Sequence, residues 1–249
     1  MSSTIPLWLP LLIGATFLLA GFVKGVLGMG LPTLAMGLLG LAMPPAQAAA
    51  LLVLPSFVSN IWQIAGPGFF ALLRRLATLL LGLCAGIAAG AGWLTAPGAS
   101  KLSDLLGLAL VAYALLGLSQ RRWQVAPRHE AWLSPLVGVL TGLVTAATGV
   151  FVIPAVPYLQ ALGLAKDELV RALGLSFLVA TVALAATLGQ GWALDLGSAG
   201  VSLLALVPTL LGMALGQQLR ARLQPEPFRR AFFGGLLLLG AWLALRSLA

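Results

Sequence analysis

The sequence predicts an all-α integral membrane protein. It has about ten hydrophobic segments, eight to ten of them transmembrane, arranged as two inverted five-segment repeats, each with a broken or re-entrant helix pair. Three observations predict this. Apolar residues make up 60% of the chain and charged residues only 8%, against about a quarter charged in a soluble domain. Cutting at charges, prolines and glycines leaves apolar runs, most of them near the roughly twenty residues that a spanning helix needs. The apolar sequence is also interrupted twice in the same way, at "GFVKGVLGMGLP" (Gly21 to Pro32) and at "GVLTGLVTAATG" (Gly138 to Gly149).

The first segment, 5–23, lacks the basic start and small-residue cleavage site of a signal peptide, so it reads as a retained helix. The first break follows it. Segment 31–43 opens with Pro32, which suits a first helical turn where a missing N–H costs nothing. Segment 46–64 begins in alanines after "LGLA" and carries Ser56, Ser59, Asn60 and Gln63. Segments 73–94 and 102–119 complete the first unit. Segments 132–147, 149–163, 169–188, 198–219 and 228–247 make the second. Three segments, 31–43, 132–147 and 149–163, are too short. At a rise of 1.5 Å per residue they reach about 20–24 Å, less than the roughly 30 Å hydrocarbon core, and so read as half-helices or re-entrant arms.

The basic residues test the count. If every segment reverses sides, all of the 14 lysines and arginines except Lys101 and Arg246 fall on one side. Positive charge marks the cytoplasmic side, so both termini are predicted on the opposite, outer side. An odd number of segments per unit makes the second repeat inverted. The expected organisation is a first repeat over 1–120, a cytoplasmic linker over 121–131 and a second repeat over 132–249. Sliding the chain by about 117 residues puts Gly21 on Gly138, Lys24 on Thr141, Gly25 on Gly142 and Gly28 on Thr145. "LGLA" recurs at Leu162–Ala165, "GPG" (Gly66–Gly68) matches "GQG" (Gly189–Gly191), and "GIAAG" (Gly86–Gly90) matches "GMALG" (Gly212–Gly216). The last is also a small-xxx-small packing pattern, which permits a homodimer without requiring one.

Paired breaks in corresponding places of two halves point to a transporter whose substrate sits between the repeats. A glycine-rich turn that opens a half-helix aims free N–H groups and a positive dipole end at the interior, a ready anion site. The two arms, starting near Gly28–Pro32 and Thr148–Pro154, are expected to converge near the midplane. Candidate binding residues are Lys24, Gly25, Gly28, Gly30, Asn60, Gln63, Thr141, Gly142, Thr145, Thr148 and Ser176. For several of them two readings stay open. Lys24 is either a functional intramembrane cation or a helix-end lysine that snorkels to the surface. Thr141, Thr145 and Thr148 either face an oxyanion or bond back to their own helix. The polar groups of segment 46–64, with Ser176 and Thr181, either line a pathway or join helices.

Other classes are excluded. The net charge of +8 belongs to cytoplasmic loops, and no basic, aromatic-interleaved stretch marks a nucleic-acid partner. One cysteine, Cys84, and one histidine, His129, give no disulfide, no metal set and no nucleophile–base pair, so neither a cofactor nor an enzyme activity is expected. All six carboxylates fall at loops or segment ends, which disfavours a cation substrate and a proton relay.

These residues resemble the TauE/SafE family of sulfite exporters and organosulfonate permeases. The likeness rests on "GFVKGVLGMG" with "LGLAMPPAQAAALLVLPSFVSNIWQ" downstream, and on "GVLTGLVTAATGVFVIPAVPYLQALGL" with "LVRALGLSF". The family's glycine-rich runs are thinned here by Met29 and Leu31 in the first break and by Thr145 to Thr148 in the second. The resemblance implies an inner-membrane secondary transporter for sulfite, a sulfonate or a similar small anion. The alternatives are a channel-like pore for another small anion or solute, and a non-transport membrane subunit. The carrier reading predicts that Gly28→Leu or Thr145→Val stops transport.

Overall fold

The computed structural model describes residues 8–96, 102–119, 123–189, 196–220 and 225–245. Lys101, Arg121, Arg122, Asp195, Arg222 and Arg246, and Gln190 and Gly191 of the "GQG" match, lie outside the described residues. Within them the chain forms ten α-helices and no strand: α1 (Trp8–Leu27), α2 (Leu31–Leu39), α3 (Pro45–Ile64), α4 (Phe69–Ala89), α5 (Leu102–Leu118), α6 (Pro127–Thr148), α7 (Ala155–Ala161), α8 (Lys166–Gly189), α9 (Leu196–Arg220) and α10 (Pro225–Leu245). Seven of them, α1, α3, α4, α6, α8, α9 and α10, are long and apolar enough to cross a bilayer. This is a multi-pass membrane protein.

Three boundaries differ from expectation. Segment 132–147 is no half-helix, because α6 starts at Pro127, inside the stretch assigned to the linker, and has 22 residues. Its polar opening reads as loop but makes a good first turn, with proline early and Glu130 at the positive end of the dipole. The second short arm contracts to the seven residues of α7, and Val150–Ile153 before it are not helical. Finally, α1 continues through Lys24 to Leu27.

The helices pair in a definite pattern. α1 lies along α9, α4 along α6, α5 along α10, and α3 along α8. The first two pairings explain four of the seven glycines in the sequence breaks. A Cβ on Gly21 or Gly25 would strike the backbone of Thr209 or Met213, and one on Gly212 or Gly216 would strike Leu18 or Phe22. Likewise Gly138 and Gly142 lie on Leu79 and Leu83, while Gly82 and Gly86 lie on Pro135 and Val139. Backbone meets backbone, as small residues allow within a membrane. The packing also sets the register between α4 and α9: Gly82 and Gly86 do for α6 what Gly212 and Gly216 do for α1, one turn away from the match of "GIAAG" to "GMALG".

Apolar residues divide as bilayer immersion requires. Phe17, Leu31, Leu39, Leu76, Leu79 and Leu236 are fully buried, while Phe70, Leu81, Leu204 and Leu238 on the outer faces are exposed. The described carboxylates all sit in first turns, Asp104 in α5, Glu130 in α6, Asp167 and Glu168 in α8, and Glu226 in α10.

Candidate functional site

The backbone itself breaks at Gly28–Gly30 and at Gly149. At the end of α1 the Gly28 N–H donates to the Lys24 carbonyl at 2.8 Å, with Gly28 at φ +77° and Gly30 at φ +106°. α6 ends in the same way. The Gly149 N–H donates to the Thr145 carbonyl at 2.8 Å from φ +71°. Such a left-handed cap strongly favours glycine. The two helix ends therefore match Lys24 with Thr145 and Gly28 with Gly149, whereas the packing glycines match Gly21 with Gly138. Between packing glycines and break, α6 carries about one turn more than α1. The expected match of Gly28 with Thr145 is displaced by that turn.

Lys24 does not snorkel. It is 2% exposed and is the one charged side chain among the buried described residues. Its ammonium donates to Ser59 Oγ at 2.9 Å and to Asn60 Oδ1. Asn60 Nδ2 donates to Ser56 Oγ at 3.2 Å. Ser56 Oγ lies 3.0 Å from Thr181 Oγ1, whose own hydrogen goes to the Phe177 carbonyl at 2.7 Å, so Ser56 is the donor of that pair. Ser59 in turn donates to the Ser56 carbonyl at 3.1 Å. A directed chain of hydrogen bonds thus runs from α1 through α3 to α8. It accounts for two of the three ammonium hydrogens. The helix end supports the charge as well, because Lys24 sits in the last turn of α1, at the negative end of the dipole.

One turn along α3, Gln63 Nε2 donates to the Gly28 carbonyl at 2.7 Å and to the Val170 carbonyl at 2.8 Å. Gly174 on α8 faces the Gln63 stem and leaves it room. Gln63 Oε1 and Ser176 Oγ are buried without a partner. Across the break, the Tyr113 hydroxyl of α5 donates to Met29 Sδ at 3.1 Å. A single tyrosine in an apolar helix gives little sequence signal for that contact. Ser56, Ser59 and Thr181, by contrast, were visible as polar positions within apolar segments.

The structure therefore brings Lys24, Gly28, Asn60 and Gln63 together. The threonines of α6 stand apart and bond back to their own helix: Thr141 to Val137, Thr145 to Thr141 and Thr148 to Val144, each at 2.7 Å. Gly25 and Gly142 serve helix packing. Gly30 lies against Val23 and Phe232. Gly28 meets Gln63 near the end of α3, while Gly149 meets Ala49 near its start and Met36 on α2, the arm that the first break opens; the two contact points on α3 are about 21 Å apart at 1.5 Å per residue. The polar face of α3 lies between them.

The sulfite exporter TauE/SafE family matches residues 13–243, which take in both breaks and the whole polar chain. The chain belongs to this family. No curated protein and no solved structure matches it. TauE/SafE proteins are membrane transporters. Among the described residues no cluster of side chains could hold a metal.

Proposed function

We propose that this TauE/SafE protein exports a small sulfur oxyanion, sulfite or a short sulfonate, and that the anion passes Lys24 on its way along the polar face of α3. The observation that carries the reading is Lys24: a cation buried in an apolar bundle, held by two neutral side chains, with one N–H left over. A charge in such a place is costly and marks a functional site by default. Export of an anion from a negative-inside cell gains about 2.3 kcal/mol per charge per 100 mV, so it needs no coupling ion.

We further propose two inverted five-segment repeats, 1–120 and 132–249, in the bacterial inner membrane with both termini periplasmic. The pairing of helices supports this reading. Exchanging each helix with the one five places along turns α1 on α9 into α6 on α4, and leaves α3 on α8 and α5 on α10 unchanged. The small-residue stripe at Gly212 and Gly216 packs within the chain, so it does not argue for a homodimer.

Flux decides the question. Purified protein in liposomes, loaded with sulfite or a short sulfonate and held at an imposed potential, should give saturable, potential-sensitive efflux and counterflow. Lys24→Met should stop it while leaving a folded protein. Efflux without saturation or counterflow would replace the carrier by a pore. No flux for any sulfur anion from folded protein, or wild-type flux from Lys24→Met, would overturn the reading.

A further inference from the structure

We propose that Arg171 is the receiving residue of this carrier: it captures the oxyanion beside the end of α3 and hands it on to Lys24. The inference rests on the carrier reading above and deepens it by adding a binding residue. Three contacts follow one another along α3. Lys24 meets Ser59 and Asn60. One turn on, Gln63 meets the Gly28 and Val170 carbonyls. Just past the helix end, Gly66 meets the guanidinium of Arg171. Arg171 directly follows Val170 on α8, so its charge stands at the outer edge of the group of side chains that holds Lys24.

The guanidinium is uncommitted. Arg171 is half-buried and forms no hydrogen bond or ion pair. Asp167 and Glu168 lie one turn earlier on α8, with Lys166 before them, and neither carboxylate pairs with it. Glu168 is instead within electrostatic reach of Arg75 on α4. Arg171 therefore keeps all five of its N–H donors, in a planar fork that takes two oxygens of a sulfite or sulfonate side by side. Gly66 leaves it room: the backbone there has φ +147°, and a Cβ would lie 2.8 Å from Nη1.

A second observation points inward from this place. Gln63 is 8% exposed, and its Oε1 is buried without a donor. A buried acceptor in that condition is costly, and Arg171 has donors to spare. A guanidinium that leans from Gly66 toward Gln63 satisfies Oε1 with one N–H and still holds an anion with the others. The anion is then brought toward the unspent N–H of Lys24, and it changes partners without standing unpaired in the bundle, where a lone charge is expensive.

The kinetics of sulfite efflux from proteoliposomes test this for wild type, Arg171→Gln, Arg171→Lys and Arg74→Gln. Arg74 is an exposed arginine at the same end of the bundle and serves as the control for surface charge. Arg171→Gln should raise KM about tenfold, as loss of a charge-assisted hydrogen bond does, and keep the maximal rate. Arg171→Lys should fall between, because an ammonium keeps the charge and loses the fork. Arg74→Gln should match wild type. An unchanged KM in Arg171→Gln, or a fall in maximal rate alone, would overturn the assignment and leave the carrier standing. An equal rise in KM for Arg74→Gln would trace the effect to surface charge in general and overturn it too. No efflux of any sulfur anion from folded wild type would bring down the carrier reading, and this proposal with it.

Discussion

The side-chain nitrogen of Gln63 lies 2.7 Å from the carbonyl oxygen of Gly28 and donates to it. The same nitrogen donates its other hydrogen to Val170 at 2.8 Å. One amide thus ties the broken end of α1 to the first turns of α8. Gln63→Leu keeps the bulk and removes both donors; the Val170 carbonyl lies within helix α8, but the buried Gly28 carbonyl beyond the end of α1 loses its partner at a cost of about 1–3 kcal/mol. Thermal unfolding in detergent should show a lowered midpoint. An unchanged midpoint would mean that these two bonds contribute nothing to the folded state.

Gly25 faces the Met213 backbone at a distance that leaves no room for a methyl group. Gly25→Ala must push α1 from α9, and overpacking of this kind costs typically about 1–3 kcal/mol. Gly142→Ala should do the same between α6 and α4. Gly234 and Gly235 have open space at the Cβ position, so Gly234→Ala should be neutral or slightly stabilising in a helix. Equal stability of the Gly25 and Gly234 variants would refute the backbone contact.

Thr145 donates into its own helix at 2.7 Å, and Asn60 receives the Lys24 ammonium. The two should respond differently to loss of polarity. Thr145→Val gives up one intrahelical bond, worth about 0.5–1.5 kcal/mol, and should leave anion efflux close to wild type. Asn60→Leu strips Lys24 of a partner and breaks the relay to Ser56, and should abolish efflux. The reverse order of effects would move the site from α1 and α3 to the end of α6.

Arg75 on α4 grips Glu130 on α6 through two nitrogens, at 2.8 and 3.1 Å, and also reaches the Leu162 carbonyl beyond α7 at 3.4 Å. The guanidinium is partly exposed. Pairs of this kind are worth about 0–1 kcal/mol and weaken with salt. Arg75→Gln should therefore lower stability slightly, and Glu130→Gln added to it should cost little more. Additive losses would show that each residue has a separate partner.

Membrane class, the run of helices and the polar stretch Ser56–Gln63 could be read from the sequence, because hydropathy and segment length report directly on lipid. The breaks were visible, but their glycines were not separable. Gly21 and Gly25 lie against a neighbouring helix, whereas Gly28 and Gly30 adopt backbone angles that disfavour other residues. The same letter serves two needs, and only the three-dimensional partner distinguishes them. The full length of α6 was hidden because Pro127, Arg128, His129 and Glu130 look like loop yet build its first turn. Which part of α3 each break touches is a long-range contact with no local pattern.

The glycine contacts have a consequence for how the polypeptide can be divided. α1 fits against α9 and α4 fits against α6, so each close-fitting pair draws one helix from either side of the loop near residue 125. Cutting the chain in that loop would not release two folding units. Each fragment would display a groove of bare backbone shaped for a helix it no longer owns, and the fragments would regain their shape only by finding one another in the membrane.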